Sequence, residues 1–195
     1  NPNEINLLLK LIFVISNKHH RTSNFFGKLE QIITYLFEKS TKPILISKFK
    51  YSLINKRLLY FLIEKKIYDA KQIINDLNKN LKRYKKKFSI ESKEFHLYFY
   101  LYPVIKDKLD KKQRKLFENE IFKHYEGPIE NYARKCLNGV NDTEICSFIQ
   151  NDSIEDFITY VHKTNIPLSN KIVPSIFETN SFLFDEKITL IKYAV

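Results

Sequence analysis

The sequence predicts an all-α protein, built as an irregular, solenoid-like array of helices. Only three glycines and six prolines occur in 195 residues, which is too few for the tight turns that sandwiches and barrels require. Apolar residues recur every three or four positions along most of the chain, and this is the spacing of one helix face. Because 44% of the residues are hydrophobic, the chain can also bury a sizeable core.

Five helices are predicted before the first long run of lysines. Residues 4 to 16 are apolar on nearly all sides, so we expect a helix packed between neighbours at the centre of the core. Apolar positions at helical spacing predict two more, over 24 to 37 and 56 to 64. Residues 43 to 51 begin with proline and are expected to form a short helix. Residues 69 to 77 form the fifth.

The middle of the chain combines a basic run with an aromatic one. Residues 79 to 87 are basic without apolar periodicity, which predicts a solvated turn or a frayed helix end. Phe95 to Tyr102 is compatible with a strand or a helix, and we expect a helix. Pro103 is expected to start a new helix, because proline is favoured in the first turn.

Two helices are predicted after this proline segment. Residues 111 to 125 place Phe117 and Ile121 on one face. A helix over 129 to 137 is expected to end at Asn138-Gly139, where glycine permits a left-handed stop.

A change in charge gives the expected domain boundary. Residues 1 to 120 carry 26 Lys and Arg against 12 Asp and Glu, whereas residues 121 to 195 carry 7 against 10. Gly127-Pro128 interrupts the chain at the same place. We therefore expect a basic helical region over 1–125 and a second region over 126–195, with one continuous domain as the alternative.

A pair of short helices is predicted in the second region. Thr143 to Gln150 and Ser153 to Lys163 carry apolar residues at helical spacing and flank the polar turn Asn151-Asp152. Ser153 and Asp156 have the spacing of a capping box. Five apolar residues are expected to be buried together in this pair: Ile145, Phe148, Phe157, Ile158 and Val161.

A family resemblance arises in the same region. Thr189 to Ala194 is similar to the T-P-L-H-x-A opening of an ankyrin repeat, with Leu190 in place of proline and Lys192 in place of histidine. Together with two other segments, Ile145 to Phe157 and Pro174 to Leu183, this hexapeptide resembles a large family of trichomonad-type protist ankyrin-repeat proteins. The resemblance implies a helical N-terminal domain of unknown function whose ankyrin-type helix pairs lead to the first regular repeat. It implies no catalytic or ligand-binding residues.

The residues capable of chemistry form no recognisable catalytic or metal-binding pattern. The three glycines are too far apart for a nucleotide-binding loop. The five histidines have no metal-ligand spacing with Cys136 or Cys146, and the adjacent His19 and His20 are expected on the surface. Cys146 is expected to be a small buried thiol. We therefore expect a protein without enzymatic activity, metal or cofactor.

Cysteine content and hydropathy bear on location. Two isolated cysteines favour a reducing, cytoplasmic setting, with the nucleus as an alternative. The most apolar run, residues 5 to 15, is interrupted by Lys10 and is shorter than the roughly 20 residues that span a bilayer. No transmembrane segment is expected.

Two functions are compatible with these features. The first is a non-catalytic protein–protein interaction module that caps an ankyrin-repeat array, with self-association through the C-terminal end as a further possibility. The alternative is binding of nucleic acid or another acidic surface through the basic N-terminal region. A Lys-rich composition throughout the chain is the competing explanation of that charge. The candidate acidic-partner surface consists of Lys79, Lys82, Arg83, Lys85, Lys86 and Lys87.

Overall fold

The computed structural model describes residues 2–18, 23–39, 49–90, 92–139, 142–172, 175–179 and 188–194. The predicted all-α class is confirmed, because these residues form ten helices and no strand. One isolated antiparallel bridge joins Lys171 to Thr189. The helices are α1 (Pro2–Lys18), α2 (Ser23–Lys39), α3 (Lys56–Glu64), α4 (Lys71–Tyr84), α5 (Lys93–Ile105), α6 (Lys111–His124), α7 (Ile129–Asn138), α8 (Glu144–Gln150), α9 (Ile154–Thr164) and α10 (Leu190–Ala194). Short 3-10 turns lie at Tyr51–Leu53, Lys85–Lys87 and Lys106–Lys108.

The chain divides into two compact units, Asn1–Asn138 and Gly139–Val195. The first contains α1 to α7, and the second contains α8 to α10. This division lies later than the boundary expected at residue 125, because α7 packs against α3 and α5. The change in charge therefore does not coincide with the change in packing. Gly139 has φ 68° and provides the left-handed stop expected after α7.

The core of the first unit is centred on α5, which packs against α3, α4, α6 and α7. The expectation that residues 4 to 16 form the centre was wrong. Helix α5 can occupy this position because it is apolar around most of its circumference. Its fully or almost fully buried residues are Phe95, Tyr98, Phe99, Tyr100, Leu101, Tyr102 and Ile105.

Pro103 lies inside α5 and does not start a new helix. A proline has no backbone N–H, so the carbonyl of Phe99, four residues earlier, loses its usual donor. The hydroxyl of Tyr132 on α7 donates to that carbonyl at 2.9 Å. Tertiary packing thus supplies a hydrogen bond that the backbone at Pro103 cannot make.

The described residues cover helix α1 on only one side. Leu9, Ile12 and Phe13 are buried, with at most 4% of their surface exposed. On the opposite side, Leu7 is 68% exposed and Leu11 is 53% exposed. The prediction that neighbours sandwich this helix was therefore wrong, since the described part of the chain supplies a neighbour to one face only.

Helix α4 continues through the segment expected to be a turn. Ile73 and Leu77 are buried, and Leu81 and Tyr84 extend the same stripe in half-buried positions. These positions are four, four and three residues apart, which keeps them on one helix face. The basic residues between them lie on the outer face, so their lack of apolar character did not end the helix.

Side-chain caps fix the starts of two helices in the first unit, α3 and α6. The Asn55 side chain accepts a hydrogen bond from the Arg57 amide at 3.0 Å and begins α3 at the predicted position. Asp110 and Gln113 form a reciprocal capping box at the start of α6. The capping box expected at Ser153 is not formed, because its side chain makes no cap hydrogen bond.

The second unit has a small core. Cys146, Ile172 and Leu190 are buried together, and residues of α8 and α10 pack around them. Helices α8 and α9 pack as the expected pair, with the rings of Phe148 and Tyr160 in an edge contact at 5.7 Å. However, α9 has no buried residue.

Several expectations concern residues outside the described ranges. His19 and His20 belong to this group, as does most of the helix expected over 43 to 51.

Candidate functional site

All six residues of the candidate acidic-partner surface are exposed. Lys79, Lys82 and Arg83 lie on the last turns of α4, and the three lysines of Lys85–Lys87 form the 3-10 turn that follows. We call these six residues the basic segment. Cations at a helix C-terminus are favoured by the partial negative charge of its free carbonyl groups. The local backbone therefore accounts for part of this clustering without any partner.

Two members of the basic segment form ion pairs within the chain. The Nζ atom of Lys79 lies 3.0 Å from Asp76 Oδ1, and that of Lys87 lies 3.5 Å from Glu94 Oε1. Within the described part of the chain, the other four members form no ion pair. The Arg83 guanidinium lies 5.2 Å from the centre of the Tyr84 ring. The segment can thus offer about four cations and one aromatic ring to an acidic partner.

A second basic set lies close to the basic segment. It consists of Lys106, Lys108, Lys111, Lys112, Arg114 and Lys115, at the 3-10 turn after α5 and the start of α6. Gln113 on α6 donates a hydrogen bond to Asn78 on α4 at 2.6 Å. This contact holds the start of α6 beside the middle of α4, so both sets belong to neighbouring helices.

A cleft of about 640 Å³ lies in the first unit, where the ends of α3 and α5 meet the start of α7. Its lining includes Tyr60, Tyr68 and Pro103, together with three lysines and four carboxylates. One of these lysines, Lys108, lies 3.4 Å from Asp69. Because its charges nearly balance, the cleft favours neither a cation nor an anion strongly.

Both cysteine thiols are inaccessible. Cys136 and Cys146 are fully buried, as expected for Cys146. Burial raises the pKa of the Cys146 thiol, which lowers the fraction of reactive thiolate at neutral pH.

A half-buried histidine contacts a lysine in the first unit. The Nζ atom of Lys56 lies 2.9 Å from His96 Nδ1. Burial, and then the positive charge of Lys56, hold the pKa of His96 well below its usual value. The imidazole is therefore neutral at physiological pH and accepts a hydrogen bond from the ammonium group.

A buried ion pair connects α2 to α3. The Arg57 Nη2 atom lies 3.4 Å from Glu30 Oε1, and the guanidinium stands 4.6 Å from the centre of the Phe26 ring. Burial raises the pKa of Glu30 despite the nearby arginine. The pair links the two helices, with 9% of the Arg57 side chain and 19% of the Glu30 side chain exposed.

Metal-ligating side chains are dispersed over the described residues. In residues 2–194, apart from the segments left undescribed, no three His, Cys, Asp or Glu side chains come close enough together to hold a metal ion. None of the described helices combines the length and apolarity that crossing a bilayer requires.

Sequence reasoning missed two exposed apolar surfaces. One is the outer side of α1, and the other is the side of α9 that carries Ile154, which is 62% exposed, and Ile158, which is 48% exposed. In sequence, α1 is apolar on nearly all sides and α9 is amphipathic, and both patterns predict internal neighbours. Only the packing shows that the described residues leave these side chains uncovered.

Comparisons with known proteins give no match. No family model, curated protein or solved structure matches this chain. The resemblance to ankyrin-repeat proteins therefore stays a prediction made from the sequence.

Proposed function

We propose that this chain is a non-catalytic interaction module whose Gly139–Val195 unit packs against an ankyrin-type helix pair. The observation that supports this proposal best is helix α9, which has eleven residues and buries none of them. Ile154 and Ile158 lie one turn apart and are 62% and 48% exposed. A helix pair of this kind cannot bury its apolar face alone and needs a stacked neighbour.

The small core of the second unit points in the same direction. Among the described residues of this unit, three are buried in its apolar cluster, whereas Ile154, Ile158, Leu168 and Ile191 are each more than 40% exposed. Surface apolar residues are common singly, but several in a unit with so small a core are typical of a module that is completed by a neighbour. We infer that the neighbour is a helix pair of the same type.

A fusion protein tests this proposal. Two consensus ankyrin repeats are joined in register after Ala194, so that Thr189 to Ala194 serves as the opening of the first. We expect Ile154→Ser with Ile158→Ser to change the stability of the original chain by less than about 0.5 kcal/mol, because both side chains are exposed. The same double substitution is expected to cost about 2 kcal/mol or more in the fusion, where the side chains become buried.

Ile32 provides a matched control, because it is 43% exposed on α2 in the first unit. Ile32→Ser is expected to have little effect in either protein. Thermal and denaturant unfolding measure the effect of the double substitution and of Ile32→Ser in both the original chain and the fusion. An equally small effect of the double substitution in both proteins would show that the repeats do not cover α9.

A second candidate function is binding of an acidic polymer through the basic segment. The observation that favours it is the exposure of all six cations on one helix end, beside an aromatic ring that could stack on a base. Replacement of Lys82, Arg83, Lys85 and Lys86 by serine removes the four cations that lack ion pairs within the described residues.

Binding assays with single-stranded DNA, duplex DNA and a polyglutamate chain test whether the basic segment binds an acidic polymer. If the segment binds nucleic acid, affinity for single-stranded DNA falls with rising salt. The variant with four serines in the segment should then bind at least about tenfold more weakly. Serine replacement of four exposed lysines on other helices, Lys28, Lys39, Lys163 and Lys192, removes the same charge and is the control. Equal effects of both variants would mean that net charge, and not this segment, determines binding.

A further inference from the structure

Helix α1 carries an apolar stripe on its solvent side. Leu7, Leu11 and Val14 are 68%, 53% and 51% exposed, and Leu8 beside them is 37% exposed. Their spacing of four and then three residues is the spacing with which one helix meets another along a seam. The buried residues of α1 lie on the opposite side, so the stripe faces away from the core of the first unit.

The size of the stripe can be compared with the requirements of a protein interface. Its exposed side chains present on the order of 350 Å² of apolar surface, which is within the range of functional patches on monomers. Two such stripes placed together would bury on the order of 700 Å². Because interfaces are roughly 60% apolar, the whole contact would bury about 1,100 Å², which is close to the lower limit for a specific dimer.

We infer that two copies of this chain associate through the solvent sides of their α1 helices, with Leu11 in the middle of a symmetric contact. A second copy fits because a two-fold contact places the same surface opposite itself, and a purely apolar stripe is complementary to its own copy. Lys10 is exposed at the edge of the stripe, where its aliphatic stem can lie along the apolar surface while the ammonium group stays in water. The modest area makes the association weak. The inference concerns the first unit and does not depend on the proposed ankyrin-type function.

Sedimentation of the whole chain over a range of concentrations tests the association. Between about 10 μM and about 500 μM, the average mass is expected to rise from near one protomer toward two, as for a small interface. Leu11→Glu should weaken self-association at least about tenfold, because each dimer would then bury two carboxylates. The matched control is Phe122→Glu, at a residue 51% exposed on α6 of the same unit, and it should leave the association unchanged.

Disulfide cross-linking provides a second measurement. Both native thiols are fully buried, so a cysteine introduced at position 11 would be the reactive one. Leu11→Cys is expected to give a covalent dimer under mild oxidation, whereas Phe122→Cys on α6 should give far less. Circular dichroism checks that each variant folds, and Leu7→Gln replaces Leu11→Glu if the latter does not. A constant monomer mass overturns the inference, as does self-association that the α1 variants leave intact.

Discussion

The hydroxyl of Tyr132 on α7 donates a 2.9 Å hydrogen bond to the backbone carbonyl of Phe99 on α5. Pro103, four residues after Phe99, cannot donate to that carbonyl, so a side chain from another helix takes the place of a backbone amide. Both Tyr132 and Phe99 are fully buried, where an unmade hydrogen bond is costly. This relationship explains how a proline can lie inside the central helix of the unit.

Tyr132→Phe is therefore expected to lower the free energy of unfolding by about 1–3 kcal/mol, because it leaves the Phe99 carbonyl without this donor. In a Pro103→Ala background the new backbone amide can reach the carbonyl, so the same substitution should cost less. Denaturant unfolding of the four proteins gives the coupling as a double-mutant cycle. Additive effects would contradict the proposed compensation.

The Glu30–Arg57 pair predicts an asymmetry between single and double substitutions. Burial opposes both charges, since it raises the pKa of Glu30 and lowers that of Arg57. The Nε and Nη1 atoms of Arg57 also have no hydrogen-bond partner among the described residues. Glu30→Leu alone is expected to cost about 3 kcal/mol, because it leaves a buried arginine without its counter-charge.

The double variant Glu30→Leu with Arg57→Leu should be about as stable as the original protein, or more stable. Chemical denaturation at neutral pH compares the three proteins. If the double variant were the least stable, the attraction between the two charges would contribute more to the free energy of unfolding than their burial costs.

His96 predicts a loss of stability in mild acid. Its pKa in the folded protein lies well below the ordinary value of 6.5 because of burial and the charge of Lys56. The unfolded chain therefore binds a proton that the folded chain does not, and the stability associated with neutral His96 is lost as the pH falls below about 6.5. This loss can reach about 1.4 kcal/mol per pH unit.

His96→Gln should reduce the fall in unfolding free energy between pH 7.5 and 5.5. His162 is exposed on α9, so His162→Gln is the control for replacing a histidine outside the Lys56 contact. Urea unfolding at several pH values provides the measurement. An identical slope for His96→Gln and the original chain would rule out this account of acid sensitivity.

The buried thiols predict slow alkylation. Cys136 and Cys146 are fully buried, so reaction with a thiol reagent requires local or global opening of the fold. We expect both to react at least about a hundredfold more slowly in native protein than in denaturant. Rapid stoichiometric labelling of Cys146 under native conditions would contradict its placement in the core and would reopen the question of a reactive site.

Local signals predicted much of the helical structure. Helix α3 has the predicted bounds of Lys56 and Glu64, because its apolar stripe and its capping Asn55 are both close in sequence. The left-handed stop at Gly139 was also predicted, since only glycine adopts that conformation readily. The prediction of a helix start at Pro103 was wrong, because the stabilising hydrogen-bond donor comes from Tyr132, 29 positions away.

The candidate surfaces were less predictable than the helices. The basic segment could be identified from charge alone, but its ion pair with Glu94 and the continuation of α4 depend on tertiary packing. The apolar patterns of α1 and α9 predicted helices correctly. They could not indicate whether a neighbour covers Leu11 or Ile154, because a stripe records only which side is apolar.

The proposed interaction module is tested most directly by hydrogen exchange of the α9 amides. The original chain is compared with the fusion that carries two consensus ankyrin repeats after Ala194. The account predicts that amides of α9 from Phe157 onward exchange at least about tenfold more slowly in the fusion, because a stacked helix pair then covers the side chains of Ile154 and Ile158 and raises the free energy of local opening. Helix α2, with Ile32 exposed on the first unit, should exchange at the same rate in both proteins. Unchanged exchange in α9, with the added repeats themselves folded, would contradict the central claim.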